Sequence, residues 1–258
     1  MLTLFIQSAV ILLFCMAFLW LLSIYLKNVS IVDIFWGLGF VIVNAFYFCS
    51  LQEIFTRHIL LLVLVSIWGL RLTIYLAIRN IGKKEDFRYQ EFRKRYGIDR
   101  YWWVSFFQVF LLQGFLILII SLPLLGTIFY TKSNDLIGLD YLAILIWVVG
   151  FIFESIGDFQ LTKFKNNPNN KGKVLDKGLW KYTRHPNYFG DTLVWWAYAI
   201  FSISSGSYWP IIGSLIMTIL IIKVSGVSLL EKTLKNKKPG YEEYIRKTNS
   251  FFPWFPKK

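Results

Sequence analysis

The stretch KYTRHPNYFGD, Lys181 to Asp191, places an arginine, a histidine, an amide, a phenol and a carboxylate at the mouth of an apolar run. His185 precedes Pro186 and is biased away from helical backbone, whereas proline suits a first helical turn. A helix is therefore predicted to begin at Pro186, and its free N–H groups and partial positive charge form an anion site. Arg184 can add a bidentate fork and His185 a further donor. Past the proline, Asn187 and Asp191 fall at i and i+4 with Tyr188 beside them, offering acceptors to sugar hydroxyls or an amide. Gly190 allows a close neighbour. Two flanking segments carry related groups. GDFQLTKFKNNPNN is read as Asp158 at a helix end, followed by Lys163 and Lys165 in a loop rich in Asn and Pro. LLEKTLKNKKPGYEEYIRKTNSFFPWF gives Glu231 at a helix end, then Tyr241 and Tyr244 on a short amphipathic stretch. Together these segments suit a soluble, anionic, nucleotide-like cofactor.

The elements that must position these groups are hydrophobic. With 56% apolar residues, 19% aromatics and 17% charged residues, the chain is unlike a soluble domain. Runs of about 20 apolar residues lie at 2–26, 31–50, 58–79, 104–130, 138–161, 188–205 and 208–230. The first lacks a basic leader and a small-residue cleavage site, so it reads as a retained helix and not a signal peptide. Only helices or closed barrels satisfy their backbone in lipid, and the alternation of a barrel is missing. The predicted fold is thus all-α, a polytopic integral membrane helical bundle of about seven transmembrane helices in one domain over 1–258. Gly69, Gly114, Gly150, Gly157, Gly190, Gly213 and Gly226 would let helices approach closely. Cys15 and Cys49 sit inside apolar runs, so neither a disulfide framework nor a metal site is expected.

A net charge of +13 would suggest nucleic acid in a soluble domain, but its placement argues otherwise. Lys and Arg number 8 in 79–103, 7 in 162–187 and 8 in 231–258, which is 23 of 28. The positive-inside rule makes those three segments cytoplasmic, so the N-terminus is expected outside and the C-terminus in the cytoplasm. Nucleic acid is not an expected partner; membrane lipids are. On this topology Asp33, Arg71, Glu154, Asp158, Asp191, Lys223 and Glu231 all fall in the cytoplasmic half. Intramembrane charges mark functional sites, and this asymmetry favours a cavity open to the cytosol over a channel or pump. The blander reading has charges snorkelling, lysine-rich loops meeting anionic lipid heads and tyrosines forming an interfacial belt. It accounts for single lysines, but not for Arg184, His185, Asn187, Tyr188 and Asp191 arriving together.

At these residues the sequence resembles the steroid 5-alpha-reductase C-terminal superfamily, and within it a bacterial-type branch of unassigned function. GLWKYTRHPNYFGD is similar to the sterol-reductase motif ending in RHPNYLGD, and DFQLTKFKNNP to its polar segment with a Lys and an NP. WGLRLTIYLAIRNIGKKEDFRYQEFRKRYG and YEEYIRKTNSFFPWFPK look like the bacterial-type branch nearly throughout. The resemblance implies a membrane reductase, in a bacterial inner membrane, that takes hydride from NADPH to reduce an activated carbon–carbon double bond. Residues 1–130 would form a chamber for a lipophilic substrate entering from the bilayer, and 138–258 the cofactor-binding part. By matched position, Asp158, Lys163, Lys165, Trp180, Arg184, His185, Asn187, Tyr188, Asp191 and Tyr244 would line the NADPH site, facing the cytoplasm. No GxGxxG follows a strand-like run, and this family needs none. Asp33 occupies the place of the acidic residue that holds the substrate ketone. The partner tyrosine of the third span is unmatched: Trp68 stands near it, with Arg71 and Tyr75 one or two turns on. Asp33, protonated, is the expected donor to the enolate left by hydride transfer, with Tyr75 and Arg71 as substitutes.

A related branch, the isoprenylcysteine and phospholipid methyltransferases, shares RHP and a tyrosine but binds S-adenosylmethionine. Its motif usually carries an apolar residue after the glycine and a later pair of glutamates, whereas this chain has Asp191 after Gly190 and Glu231 followed by Lys232. Both features favour NADPH. A third class is a non-catalytic membrane protein whose polar face binds lipid heads or a partner.

Overall fold

The computed structural model describes residues 1–224, 227, 231, 234 and 239–257. Among these residues every regular element is helical and none is a strand, in accord with the all-α bundle. Gly226, Lys232 and most of 225–238 lie outside the described residues. The chain divides into two compact units, 1–135 with 205–207, and 136–204 with 208–258.

In the first unit, α1 (Leu2–Leu26) is apolar on every side and leaves Leu2, Phe14, Phe18 and Tyr25 exposed, as a lipid-facing helix does. The unit continues with α2 (Ile31–Cys49), α3 (Thr56–Asn80), a polar surface helix α4 (Phe87–Tyr96), α5 (Ile98–Ser105), a π-helical stretch Phe106–Leu111, α6 (Leu112–Ile120) and α7 (Leu122–Tyr130). Helices α2 and α3 meet through Gly37 and Gly69: a Cβ on Gly69 would stand 2.7 Å from the Gly37 carbonyl oxygen. The break between α6 and α7 falls at Ser121, just before Pro123, whose missing N–H ends one helical ladder and starts another.

The second unit contains α8 (Gly138–Asn166), α9 (Pro186–Ser204), α10 (Ile211–Ile219), a π-helical stretch Leu220–Val224, and α11 (Tyr241–Lys247). At the start of α8 the Asp140 carboxylate accepts from the Ile137 N–H at 2.8 Å. At its far end Lys163 and Lys165 complement the negative helix terminus. Here the structure corrects the sequence reading: α8 runs on to Asn166, so Asp158 lies two turns inside it and both lysines are helical. Nothing in QLTKFKN breaks a helix before Pro168. Gly178–Lys181 forms a 3₁₀ turn opened by Gly178 at φ +63°. α9 does begin at Pro186, and 241–247 is the expected short helix.

Five of the seven expected spans are helices long and apolar enough to cross a membrane: Leu2–Leu26, Ile31–Cys49, Thr56–Asn80, Asp99–Tyr130 and Gly138–Asn166. The other two are α9 and Ile211–Val224. α9 carries Asn187 and Asp191 in its first turns and buries Val194, Trp195, Ala197, Tyr198 and Phe201 in protein.

Candidate functional site

The site of the second unit is built on the seam between α8 and α9. The two helices run antiparallel, with Gly157 facing Asn187 and Gly150 facing Gly190. A Cβ on Gly150 would stand 2.7 Å from the Gly190 carbonyl oxygen, and one on Gly157 would stand 3.0 Å from the Asn187 nitrogen. A methyl group cannot fit at Gly150 without a shift of backbone, and at Gly157 it would be a tight contact. The close approach brings side chains far apart in sequence into register. The Asn187 amide nitrogen donates to Asp158 at 3.0 Å, and Asp158 is buried. The other end of that amide, Oδ1, is buried with no hydrogen-bond partner among the described residues, as is the Thr192 hydroxyl. About three turns deeper, Tyr198 accepts from the Trp147 indole N–H at 3.0 Å. Its phenol lies within electrostatic reach of Glu154 and Asp191.

The loop entering α9 is held from both sides. The Leu179 N–H donates to Gln160 at 3.0 Å and the Trp180 indole to the Gly157 carbonyl at 3.2 Å, both on α8. The Tyr244 hydroxyl of α11 donates to the Trp180 carbonyl. Arg184, only 7% exposed, donates through Nε to Glu231 at 2.8 Å. Its Nη2 lies 2.6 Å from the same oxygen. Nη1 donates to the Ile245 carbonyl at 3.2 Å and to the Thr248 carbonyl. His185 is buried, stands 3.3 Å from Glu231 and stacks on Tyr188 with ring centres 5.7 Å apart. Burial opposes ionisation of Glu231, but hydrogen bonds from His185 and Arg184 and the charge of Arg184 outweigh it and hold the carboxyl below its ordinary range.

The structure thus gathers Asp158, Trp180, Arg184, His185, Asn187, Tyr188 and Tyr244 around the start of α9, with Asp191 one turn along. Lys163 and Lys165 stand exposed at the end of α8. Whether these residues suit a dinucleotide can be judged from their bonding. The orphaned Asn187 oxygen fits an amide or hydroxyl donor, and exposed Lys163 and Lys181 fit an anionic portion. Arg184 does not fit the expected phosphate role, because the Glu231 carboxylate and two carbonyls already occupy its guanidinium. Sequence reasoning missed Gln160, Trp147 and Tyr198. Spacing carried the signal for two of them: Tyr198 lies seven residues past Asp191, and Trp147 seven before Glu154, each on the same helical face.

The other expected residues lie in the first unit. Asp33, in the first turn of α2, accepts from Arg88 at 2.8 Å and from the Tyr89 hydroxyl at 2.7 Å, while Arg88 also holds Asp86 at 2.9 Å. Both Asp33 oxygens are thus engaged, one by Arg88 and one by Tyr89. Burial, then the Asp33 charge, hold the Tyr89 phenol well above its ordinary value, so it keeps its proton. Nearby, Val29 N–H donates to Glu85 at 2.9 Å and Glu85 pairs with Arg93, also at 2.9 Å. This network fastens the start of α2 to α4. Arg71 and Tyr75 form a stack on α3: Arg71 lies 5.9 Å from the Tyr75 ring centre and Arg79 lies 5.8 Å from it. Trp68 is fully buried.

Fold and site together define a multi-pass helical membrane protein of enzyme-like character, with a polar cluster at a helix start. The chain belongs to the family described as a protein of unknown function, DUF1295, whose pattern matches residues 19–248 and which lies in the steroid 5-alpha-reductase-like region. It is similar to an uncharacterized protein of Schizosaccharomyces pombe, 25% identical over 267 residues that cover 91% of this chain and 75% of the relative. It is also similar to a probable O-methyltransferase of Ustilaginoidea virens, 36% identical over 63 residues that cover 24% of this chain and 22% of that protein. No solved structure matches the chain at significant similarity.

Proposed function

We propose that the chain is an NADPH-dependent reductase of an activated carbon–carbon double bond in a lipophilic substrate, with its cofactor at the α8–α9 seam on the cytosolic side. The observation that carries this reading is the Asn187 amide. One end is fixed by buried Asp158, and the other is an unmet acceptor in the first turn of a helix. A buried acceptor left unmet costs about 1–3 kcal/mol, and a carboxamide or ribose hydroxyl of a dinucleotide would satisfy it. Bound there, NADPH would supply the hydride. Asp158 orients the Asn187 amide so that its oxygen faces the ligand. Lys163, Lys165 and Lys181 attract the phosphates, aided by the positive end of α9. Arg184 acts as a positioning residue: by joining Glu231 to the end of α11 it fixes the loop that presents His185, Asn187 and Tyr188. In the first unit, Asp33 enters as the acceptor that fixes Arg88 and Tyr89, and Tyr89 is the proton-bearing group of that cluster.

The similarity to a probable O-methyltransferase supports a second reading, an S-adenosylmethionine-dependent methyltransferase acting on a lipid, built on the same seam. Mass spectrometry of lipids from cells overexpressing the full chain separates the two. The reductase reading expects species that gain two hydrogens with wild type and not with Asn187→Ala. Species that gain a methyl group would replace it with the second reading, and an unchanged lipid profile would count against both.

A further inference from the structure

The segment that follows α11 crosses the motif loop as a strap. The Arg184 N–H donates to the Asn249 carbonyl at 2.9 Å, the Trp254 N–H to the Tyr182 carbonyl at 2.9 Å, and the Lys257 N–H to the Lys247 carbonyl at 2.8 Å. The Thr183 hydroxyl donates to the Phe251 carbonyl at 2.8 Å. Phe251 is buried, with its ring edge-on to Phe189 of α9 at 5.9 Å. The backbone is therefore pinned along its length. Yet Phe252, Trp254 and Phe255 are 71%, 69% and 75% exposed. Trp254 and Phe255 lie ring to ring at 6.4 Å, and exposed large rings gathered in this way mark an interaction surface.

The charges around the patch indicate what covers it. Residues 244–258 contain Arg246, Lys247, Lys257 and Lys258; Glu242 and Glu243 precede them, and Glu243 pairs with Lys247 at 2.6 Å, which leaves Arg246, Lys257 and Lys258 as the cations beside the rings in sequence. Aromatic rings belong at the headgroup level of a bilayer, tryptophan above all. Basic residues beside them are drawn to anionic lipid. Five helices able to cross a membrane put such a surface within the chain's own surroundings.

We propose that the strap, residues 250–257, seats in the interfacial layer of a bilayer containing anionic lipid. Phe252, Trp254 and Phe255 lie among the headgroups and the flanking cations meet lipid phosphates. Because the strap is hydrogen-bonded to residues 182–184, this contact also sets the position of the loop that carries Arg184 and His185. The inference holds whichever cofactor the seam binds.

The test uses the full chain with Cys15→Ser and Cys49→Ser, reconstituted in nanodiscs of phosphatidylcholine with or without phosphatidylserine. A nitroxide is attached at Trp254→Cys or, as an exposed control, at Asn169→Cys. The expected result is a label at 254 that is several-fold less accessible to an aqueous nickel chelate, and more accessible to oxygen, than the label at 169, with the shielding weakened when phosphatidylserine is omitted. Equal nickel accessibility at the two positions would overturn the proposal, and shielding independent of phosphatidylserine would overturn its anionic-lipid half. Should the labelled variants fail to fold, tryptophan quenching by brominated lipids is compared between wild type and Trp254→Phe. A smaller quenched signal in the variant supports the proposal, and no difference contradicts it.

Discussion

Arg184 shows how one side chain can satisfy a motif and serve another purpose. Its type and place before a helix start suit a phosphate ligand, and that much was legible in RHPNY. Its partner Glu231, 47 residues on, and the carbonyls of Ile245 and Thr248 were not, because a hydrogen bond across such a separation is set by how helices pack. The consequence is a stability role. Arg184→Ala leaves the Ile245 and Thr248 carbonyls without their guanidinium donor and Glu231 with His185 alone among the described residues, and removing one partner of a buried pair costs about 3–5 kcal/mol; Glu231 is partly exposed and keeps His185, so the low end is expected. A fall in unfolding temperature in detergent checks this, and Arg184→Lys should recover only part, since one ammonium cannot match a planar fork. Glu231 also gives a pH dependence. Its folded pKa lies below the ordinary 4.5, so its contribution is complete above that value and is lost as pH falls through the depressed one. Thermal unfolding followed through that acidic window should lose stability in wild type more steeply than in Glu231→Gln.

At the scale of elements, the α8–α9 seam is the feature on which the site depends. The glycines were visible as small residues within apolar runs, but their pairing across the two helices was not, because no strict GxxxG repeat announces it. The pairing of Asn187 with Asp158 follows from that contact and was hidden for the same reason. Gly150→Ala would push a methyl group against the Gly190 carbonyl and the Leu193 side chain, at 2.7 and 2.8 Å. Rigid backbone cannot yield there, so a loss of about 1–3 kcal/mol is expected, together with weaker cofactor binding as the seam opens. Gly138, with nothing within 4 Å of a Cβ, is the control; Gly138→Ala should change stability by no more than about 0.5 kcal/mol. Unfolding of the two variants in one detergent reads both outcomes. The end of α8 was misjudged because Asn and Pro residues drew attention to a loop, while the helix-favouring residues before Pro168 carried the helix two turns further.

For the whole molecule, hydrophobic run length located the five long spans to within a few residues, since the thickness of a bilayer fixes what a helix must supply. Run length spoke less clearly for α9, whose inner faces pack on protein and whose first turns are polar. The central claim is that the α8–α9 seam binds NADPH, and it is tested most directly by titrating the purified full chain in detergent with NADPH and, separately, with S-adenosylmethionine. Energy transfer from tryptophan to the nicotinamide reports NADPH binding, and calorimetry reports S-adenosylmethionine. The account predicts saturable transfer with NADPH, weakened at least tenfold in Asn187→Ala, and no heat of binding with S-adenosylmethionine. Saturable S-adenosylmethionine binding without NADPH transfer, or NADPH affinity unchanged in Asn187→Ala, would contradict it.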